Sequence, residues 1–313
     1  MKARAPGKVV LSGAYAVLEG APAIVSAVTR YVTCDSELPA ERVTPEVRAA
    51  LPSGPYPAFD ASQLRDGQHK LGLGSSAAIV VASLAVAVDP ELARDDEALR
   101  REVEAPALRA HQLAQGGGSG IDVAASARGG TLIARRTAPG VLEIEPVTLP
   151  GTLHVEAWAS GVSASTPELL RAVARFKEDR RRDYDELMSS LSAAASRAAA
   201  ALQAQQARGL IAELRLQREL LARLGSASGV PIITPEVRQL AEWAKARAAA
   251  VLPSGAGGGD IVLWLALEPS PPAFRELAAT LGHRHVALEL HARGVHCVVP
   301  ASVDPESRAQ RDT

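Results

Sequence analysis

Two segments rich in β-branched and apolar residues, Lys8 to Leu11 and Ala23 to Thr33, flank a turn signal at Glu19, Gly20 and Pro22. The pattern predicts two strands joined by a hairpin or a short connection. From Glu37 to His69 the chain carries Pro39, Pro45, Pro52, Pro55 and Pro57 among scattered charges, so regular structure is expected to be sparse there. The small apolar run IVVASLAVAV, which follows the segment Gly72–Ala78, reads as a buried helix. A polar helix is expected over Asp95–Gln115, ending at three glycines, with a short helix after the next loop.

Strand patterns follow at Thr131–Arg136, Leu142–Leu149 and Leu153–Ala159. Thr166 to Leu224 then reads as helix, its alanine-rich stretches having high helix propensity. The remainder predicts a helix over Pro235–Ala250, a loop over Pro253–Gly259 and a strand over Ile261–Leu267. A helix over Pro272–Leu281 and strands over His285–Leu290 and Val295–Val299 complete the pattern. This order of elements implies an α+β protein. A length of 313 residues is long for one compact domain and fits two lobes, with the boundary placed near Pro150, giving an N-terminal lobe over 1–150 and a C-terminal lobe over 151–313.

Charge narrows the possible partners. Lys and Arg number 34 against 35 Asp and Glu, a balance without the broad basic footprint that binds nucleic acid or an acidic membrane. The partner class expected is a small molecule, and any anion site must be local. Cys34 and Cys297 stand far apart without neighbouring Cys or His at metal-ligand spacing, so neither a disulfide framework nor a zinc motif is expected. No run approaches about 18 uninterrupted apolar residues, and the first residues lack a long apolar stretch. The expected location is the cytoplasm.

Three glycine-rich segments carry the candidate chemistry. In GLGSSAA, Gly72 and Gly74 permit close backbone approach, while Ser75 and Ser76 stand where a helix begins. Free N–H groups, hydroxyls and the positive end of the helix dipole converge there. On these residues alone, a phosphate cradle and a plain helix cap are equally good readings. The Walker A ending GK[ST] is absent, and Lys70 stands just before the loop as a further positive charge. In GGGSGIDVAAS, Asp122 follows a glycine run at a helix start, where an aspartate is more often only a cap. The third segment, PSGAGGGD, holds four glycines between 255 and 259 and leads into IVLWLAL. A turn alone rarely needs so many.

Taken together, APGKVVLSGAYAVLEG (Ala5 to Gly20), KLGLGSSAA (Lys70 to Ala78) and PSGAGGGD resemble motifs one, two and three of the GHMP kinases, in that superfamily's order and approximate spacing. Within it, KLGLGSSAA, AHQLAQGGGSGIDVAAS, WASGVSAST and the proline before SGAGGGD most resemble the phosphomevalonate kinases, with mevalonate kinases the alternative. The resemblance implies a two-lobe GHMP kinase fold. Its N-terminal lobe would be like domain 2 of ribosomal protein S5, its C-terminal lobe ferredoxin-like, with the site between them. It also implies ATP-dependent phosphorylation of 5-phosphomevalonate with ATP and Mg²⁺ as cofactors, in a monomer or homodimer. A non-catalytic member that binds nucleotide or metabolite is the alternative of a different class.

By the same resemblance, Asp122 and Lys8 would be catalytic, Asp122 orienting or deprotonating the attacked oxygen and Lys8 stabilising developing charge. The nucleotide would rest on Lys70, Gly72, Leu73, Gly74, Ser75, Ser76 and Ala77, with Ser76 as metal ligand. Tyr15, Ser119, Gly120, Ser163, Ser165, Thr166, Ser254, Gly255 and Ala256 would lie by the substrate, although Thr166 reads equally well as a plain helix cap. The chain departs from its relatives at Ala14 and His111, where glutamates are common, and at Leu252, where a lysine is common.

Overall fold

The computed structural model describes residues 1–298 apart from 68, 139, 163 and 164. The chain opens with β1 (Lys2–Ser12), a 3₁₀ turn (Ala16–Glu19) and β2 (Pro22–Pro39), then α1 (Pro45–Ala50), β3 (Pro57–Asp60), β4 (Arg65–Asp66) and β5 (His69–Lys70). Next come α2 (Ser75–Ala85), α3 (Asp96–Gln115), α4 (Ile121–Arg128), β6 (Thr131–Ala138), β7 (Val141–Val147) and β8 (His154–Ser160). Three long helices follow: α5 (Thr166–Asp179), α6 (Arg181–Gln203) and α7 (Ala207–Ser228). The chain continues through α8 (Pro235–Lys245), β9 (Ala250–Pro253), β10 (Ile261–Ala266), α9 (Pro272–Thr280), β11 (His283–Val286) and β12 (His296–Val298).

Two antiparallel sheets organise the molecule. The first has the order β12-β1-β2-β6-β7 with β3 added beside β2, and the second has the order β11-β8-β10-β9. Helices α2 and α4 pack on β1 and β2 of the first sheet. The apolar run of β10 is buried on both faces, which explains its lack of polar alternation. Ile261, Leu263 and Leu265 enter a core shared with the first sheet. Val262, Trp264 and Ala266 enter a second core with Phe274 and the α8 residue Leu240. β12 lies in the first sheet, where Lys2, Ala3 and Arg4 of β1 pair with Val298, Cys297 and His296.

Three expectations change. The proline-rich stretch is more ordered than its composition indicates, because Pro45 occupies the first turn of α1, where a missing N–H costs nothing, and the Thr44 hydroxyl caps it by accepting from the Val47 N–H at 3.3 Å. The helix expected to reach Ala250 stops at Lys245, and Ala250–Pro253 pairs instead with β10 as an edge strand. Residues 287–290 lie outside any strand, held by an isolated bridge between Val28 and Leu290; Val299 is outside the described residues. Among the described residues no helix is long and apolar enough to cross a membrane.

The β1 terminus is tied to α7 by one buried amide. Gln217, 2% exposed, accepts the Gly13 N–H at 2.9 Å and bonds the Ser12 hydroxyl at 2.9 Å. Replacing it with leucine strands a buried donor and a buried hydroxyl, so Gln217→Leu is expected to lose about 1–3 kcal/mol of stability in urea titration. A variant as stable as the parent would show that water or a shifted turn satisfies both groups.

Candidate active site

β1 carries Lys8 into the interior, and the glycine loop is laid directly over it. The Lys8 N–H donates to the Leu73 carbonyl at 2.9 Å, fastening the loop to the strand. Gly7 permits this approach, since a Cβ there would stand 2.8 Å from that carbonyl oxygen. The Lys8 side chain runs beneath the loop, so that a Cβ on Gly74 would come within 3.0 Å of Lys8 Cε. Its ammonium donates to the Gly72 carbonyl at 3.1 Å. Gly74 has φ 76° and is the residue from which α2 starts, placing Ser75 and Ser76 in the first helical turn with their N–H groups at the positive end of the dipole.

Asp122 occupies the first turn of α4, which starts from left-handed Gly120. A Cβ on Gly120 would stand 2.3 Å from Leu108 Cδ1, so this turn closes tightly against α3. Asp122 is not the N-cap, and its Oδ1 accepts the N–H of its neighbour Val123 at 3.0 Å. The other oxygen lies 3.6 Å from His111 Nε2, and that nitrogen lies 3.2 Å from Ser76 Oγ. His111, reaching in from α3 with 7% of its surface exposed, therefore joins the first turns of two helices.

Electrostatically the centre is a buried cation between two acids. Burial pulls the Lys8 ammonium below the ordinary lysine range, while Asp122 and Asp260 oppose that fall. A buried ammonium is costly unless compensated, and the bond to the Gly72 carbonyl with the field of the two carboxylates offsets that cost.

The third loop completes the surroundings. Ser254 Oγ accepts the Val10 N–H at 2.9 Å, two residues beyond Lys8. Tyr15, held at φ 62°, donates its hydroxyl to the Ala256 carbonyl at 2.7 Å, and burial pushes its pKa up. Gly257 is pressed on Ile232, whose carbonyl oxygen would lie 2.1 Å from a Cβ there. Asp260 closes the loop against Gly72, where an added Cβ would meet its carboxylate Oδ2 at 2.9 Å.

Lys8, Leu73, Gly72, Gly74, Ser76 and Asp122 thus converge, with Ser75 and Ala77 in the same helical turn, Ser119 and Gly120 leading into Asp122, and Tyr15, Ser254, Gly255 and Ala256 in the adjoining loops. Lys70 stands exposed on the β4–β5 hairpin, outside the buried centre. Ser165 and Thr166 are exposed at the head of α5, and Ser163 lies outside the described residues. The capping expected of Thr166 is absent: Ser165 holds the N-cap position, and its side chain makes no cap bond. Ala14 is half-buried, and Leu252 is buried on β9. Sequence reasoning did not find Asp260, which ends a quoted motif, and it met His111 only as a departure from a pattern. The signal for both was proximity in space.

For a divalent cation, Ser76 Oγ and Asp122 Oδ2 are oxygens of the type Mg²⁺ selects. Among the described residues no group of three or more His, Cys, Asp or Glu could hold a metal, so the donor set fits an ion carried mainly on phosphate oxygens.

Residues 46–130 match the family described as the GHMP kinases N terminal domain. The chain is 31% identical over 224 residues to a phosphomevalonate kinase of Streptomyces sp. (strain CL190), a match covering 64% of this chain and 58% of that relative. It is 28% identical over 284 residues to a mevalonate kinase of Archaeoglobus fulgidus, covering 85% of this chain and 92% of the relative. The fold superposes on the Streptococcus pneumoniae phosphomevalonate kinase solved in complex with phosphomevalonate and AMPPNP, with TM-score 0.72 and 19% identity, over 93% of this chain and 99% of that one.

Two glycines separate backbone strain from crowding at this site. Gly72 and Gly116 share φ 69°, yet an added Cβ meets the Asp260 carboxylate at the first and nothing within 4 Å at the second. Gly116→Ala is expected to cost about 1 kcal/mol from strain alone. Gly72→Ala should cost measurably more in the same urea titration; equal losses would place Asp260 away from the loop.

Proposed function

For a chain that belongs to the GHMP kinase superfamily, we propose ATP-dependent phosphoryl transfer to a small acidic acceptor, with 5-phosphomevalonate as that acceptor. The observation that carries the reading is the Lys8 ammonium bonded to the Gly72 carbonyl, under the loop that opens α2 and in the field of Asp122. Phosphoryl transfer passes through a loose transition state, so positioning and charge neutralisation suffice. In this reading an oxygen of the acceptor's phosphate attacks the γ-phosphorus. The bond from that phosphorus to the β,γ-bridging oxygen breaks, and ADP leaves with the electron pair.

The chain's own groups have separable tasks. The free N–H groups of the first turn of α2, with Ser75 and Ser76, hold the β- and γ-phosphate oxygens. Lys8 faces the transferred group and offsets its charge. An acceptor phosphate is largely ionised at neutral pH, so Asp122 orients the attacking oxygen rather than deprotonating it; for a hydroxyl acceptor the same carboxylate would take the proton. Mg²⁺, held by phosphate oxygens with Ser76 and Asp122 as oxygen donors, would neutralise charge on the β,γ oxygens. Tyr15 and Ser254 fasten the first and third loops around the acceptor side.

The choice of phosphomevalonate rests on the sequence segments quoted for that family, the 31% identical Streptomyces relative and the ligand of the Streptococcus enzyme. Mevalonate is the competing acceptor, favoured by the longer match to the Archaeoglobus relative.

ADP release measured across phosphomevalonate, mevalonate, homoserine and galactose is expected to respond to phosphomevalonate. Turnover confined to mevalonate would move the assignment to that acceptor, and silence across the panel with AMPPNP still bound would indicate a non-catalytic nucleotide-binding member. In the active enzyme, Asp122→Asn is expected to lower kcat by about 10²–10⁴-fold while calorimetric AMPPNP affinity changes little. Unchanged kcat would remove Asp122 from the mechanism.

A further inference from the structure

Asp260 lies in no family role assigned above, yet four features of its surroundings converge. It is a non-glycine residue at φ 56°, in the left-handed region where aspartate is tolerated at some cost. Its backbone is pinned on both sides to the segment after β8. The Asp260 N–H donates to the Val162 carbonyl at 3.0 Å, and its own carbonyl accepts the Ser160 N–H at 2.8 Å. The next residue, Ile261, is already in register with Ala159 in the second sheet. The side chain so fixed lies on the phosphate-loop backbone at Gly72, where a Cβ would stand 2.6 Å from Asp260 Cβ and 2.9 Å from Oδ2. It is one of two carboxylates whose charge acts on Lys8, the other being Asp122 on α4.

We propose that Asp260 is a positioning residue for phosphoryl transfer: its carboxylate, set against Gly72 by a pinned left-handed backbone, holds the Lys8 ammonium on the Gly72 carbonyl at the floor of the phosphate loop. The proposal rests on the kinase reading above for its consequence in turnover, but not for its geometry. Its physical content is a coupling. The 160–162 segment fixes Asp260, Asp260 fixes Lys8 and Gly72, and the acceptor-side chain and the nucleotide loop are thereby set relative to one another. A misplacement near 1 Å at such a point is enough to cost on the order of 10²-fold in rate.

A purely conformational role makes the opposite prediction, and two substitutions separate them. Asparagine and glycine both accept the left-handed backbone, so if Asp260 only shapes the turn, Asp260→Asn and Asp260→Gly should keep the parent's kcat. Positioning by charge predicts that both lower kcat by about 10–100-fold, with KM for the acceptor moving less than about threefold. Parent-like kcat in both variants overturns the proposal. A crystal structure of Asp260→Gly reads the same claim without substrate. Lys8 Nζ is expected to have left the Gly72 carbonyl, and an ammonium still at hydrogen-bond distance from it overturns the positioning role whether or not the parent proves to be a kinase. Absence of turnover in the parent with Lys8 displaced in the variant would instead sink the kinase reading alone.

Discussion

The Lys8 ammonium is the constraint to which the site is fitted. Removing a charge from water is expensive, and the structure offsets that cost in three directions: the Gly72 carbonyl above it, Asp122 from α4 and Asp260 from the third loop. Each partner belongs to a different stretch of chain, so one buried cation requires β1, the glycine loop, the start of α4 and the entry to β10 of the second sheet to meet at one place. Glycine at 72 and 74 follows from the same requirement. One position yields to the Asp260 side chain, the other to the stem of Lys8.

That arrangement changes the meaning of a glycine-rich loop. Sequence alone explains Gly72 and Gly74 by the approach of a phosphate. In the folded chain both also make room for protein: their Cβ positions are taken by an aspartate and a lysine. The loop is shaped from beneath by the side chains of Lys8 and Asp260.

Much of the scaffold was legible in the chain because periodicity and composition agreed. The apolar run after Ser76 gave α2, the helix expected over Asp95–Gln115 is α3 with Asp95 as its cap, the strand pattern at 131–136 lies within β6, and that at 153–159 matches β8 from His154 onward. Legibility failed where tertiary pairing decided the outcome. Ala250–Pro253 is short and apolar and became a strand only because β10 lies beside it. Glu37 to His69 was obscured by its prolines, one of which starts a helix. At the site, Lys8 and Asp122 were reached through motif resemblance, and the structure brings both to the same buried centre. The contacts of Asp260 and His111 emerge only from proximity: His111 is met in the sequence as a departure where a glutamate is common, and its bond to Ser76, 35 residues away, appears only in the folded chain.

The strand formed by residues 296–298 has a consequence for biogenesis. β1 carries Lys8, and one of its two neighbours in the first sheet, β12, is supplied by the far end of the described chain. As the polypeptide emerges from a ribosome, β1 and β2 can pair early, but the edge of β1 over Lys2–Arg4 has no strand beside it until nearly three hundred residues have followed. During that interval the beginning of the strand that carries Lys8 is an open edge of the kind that recruits other chains.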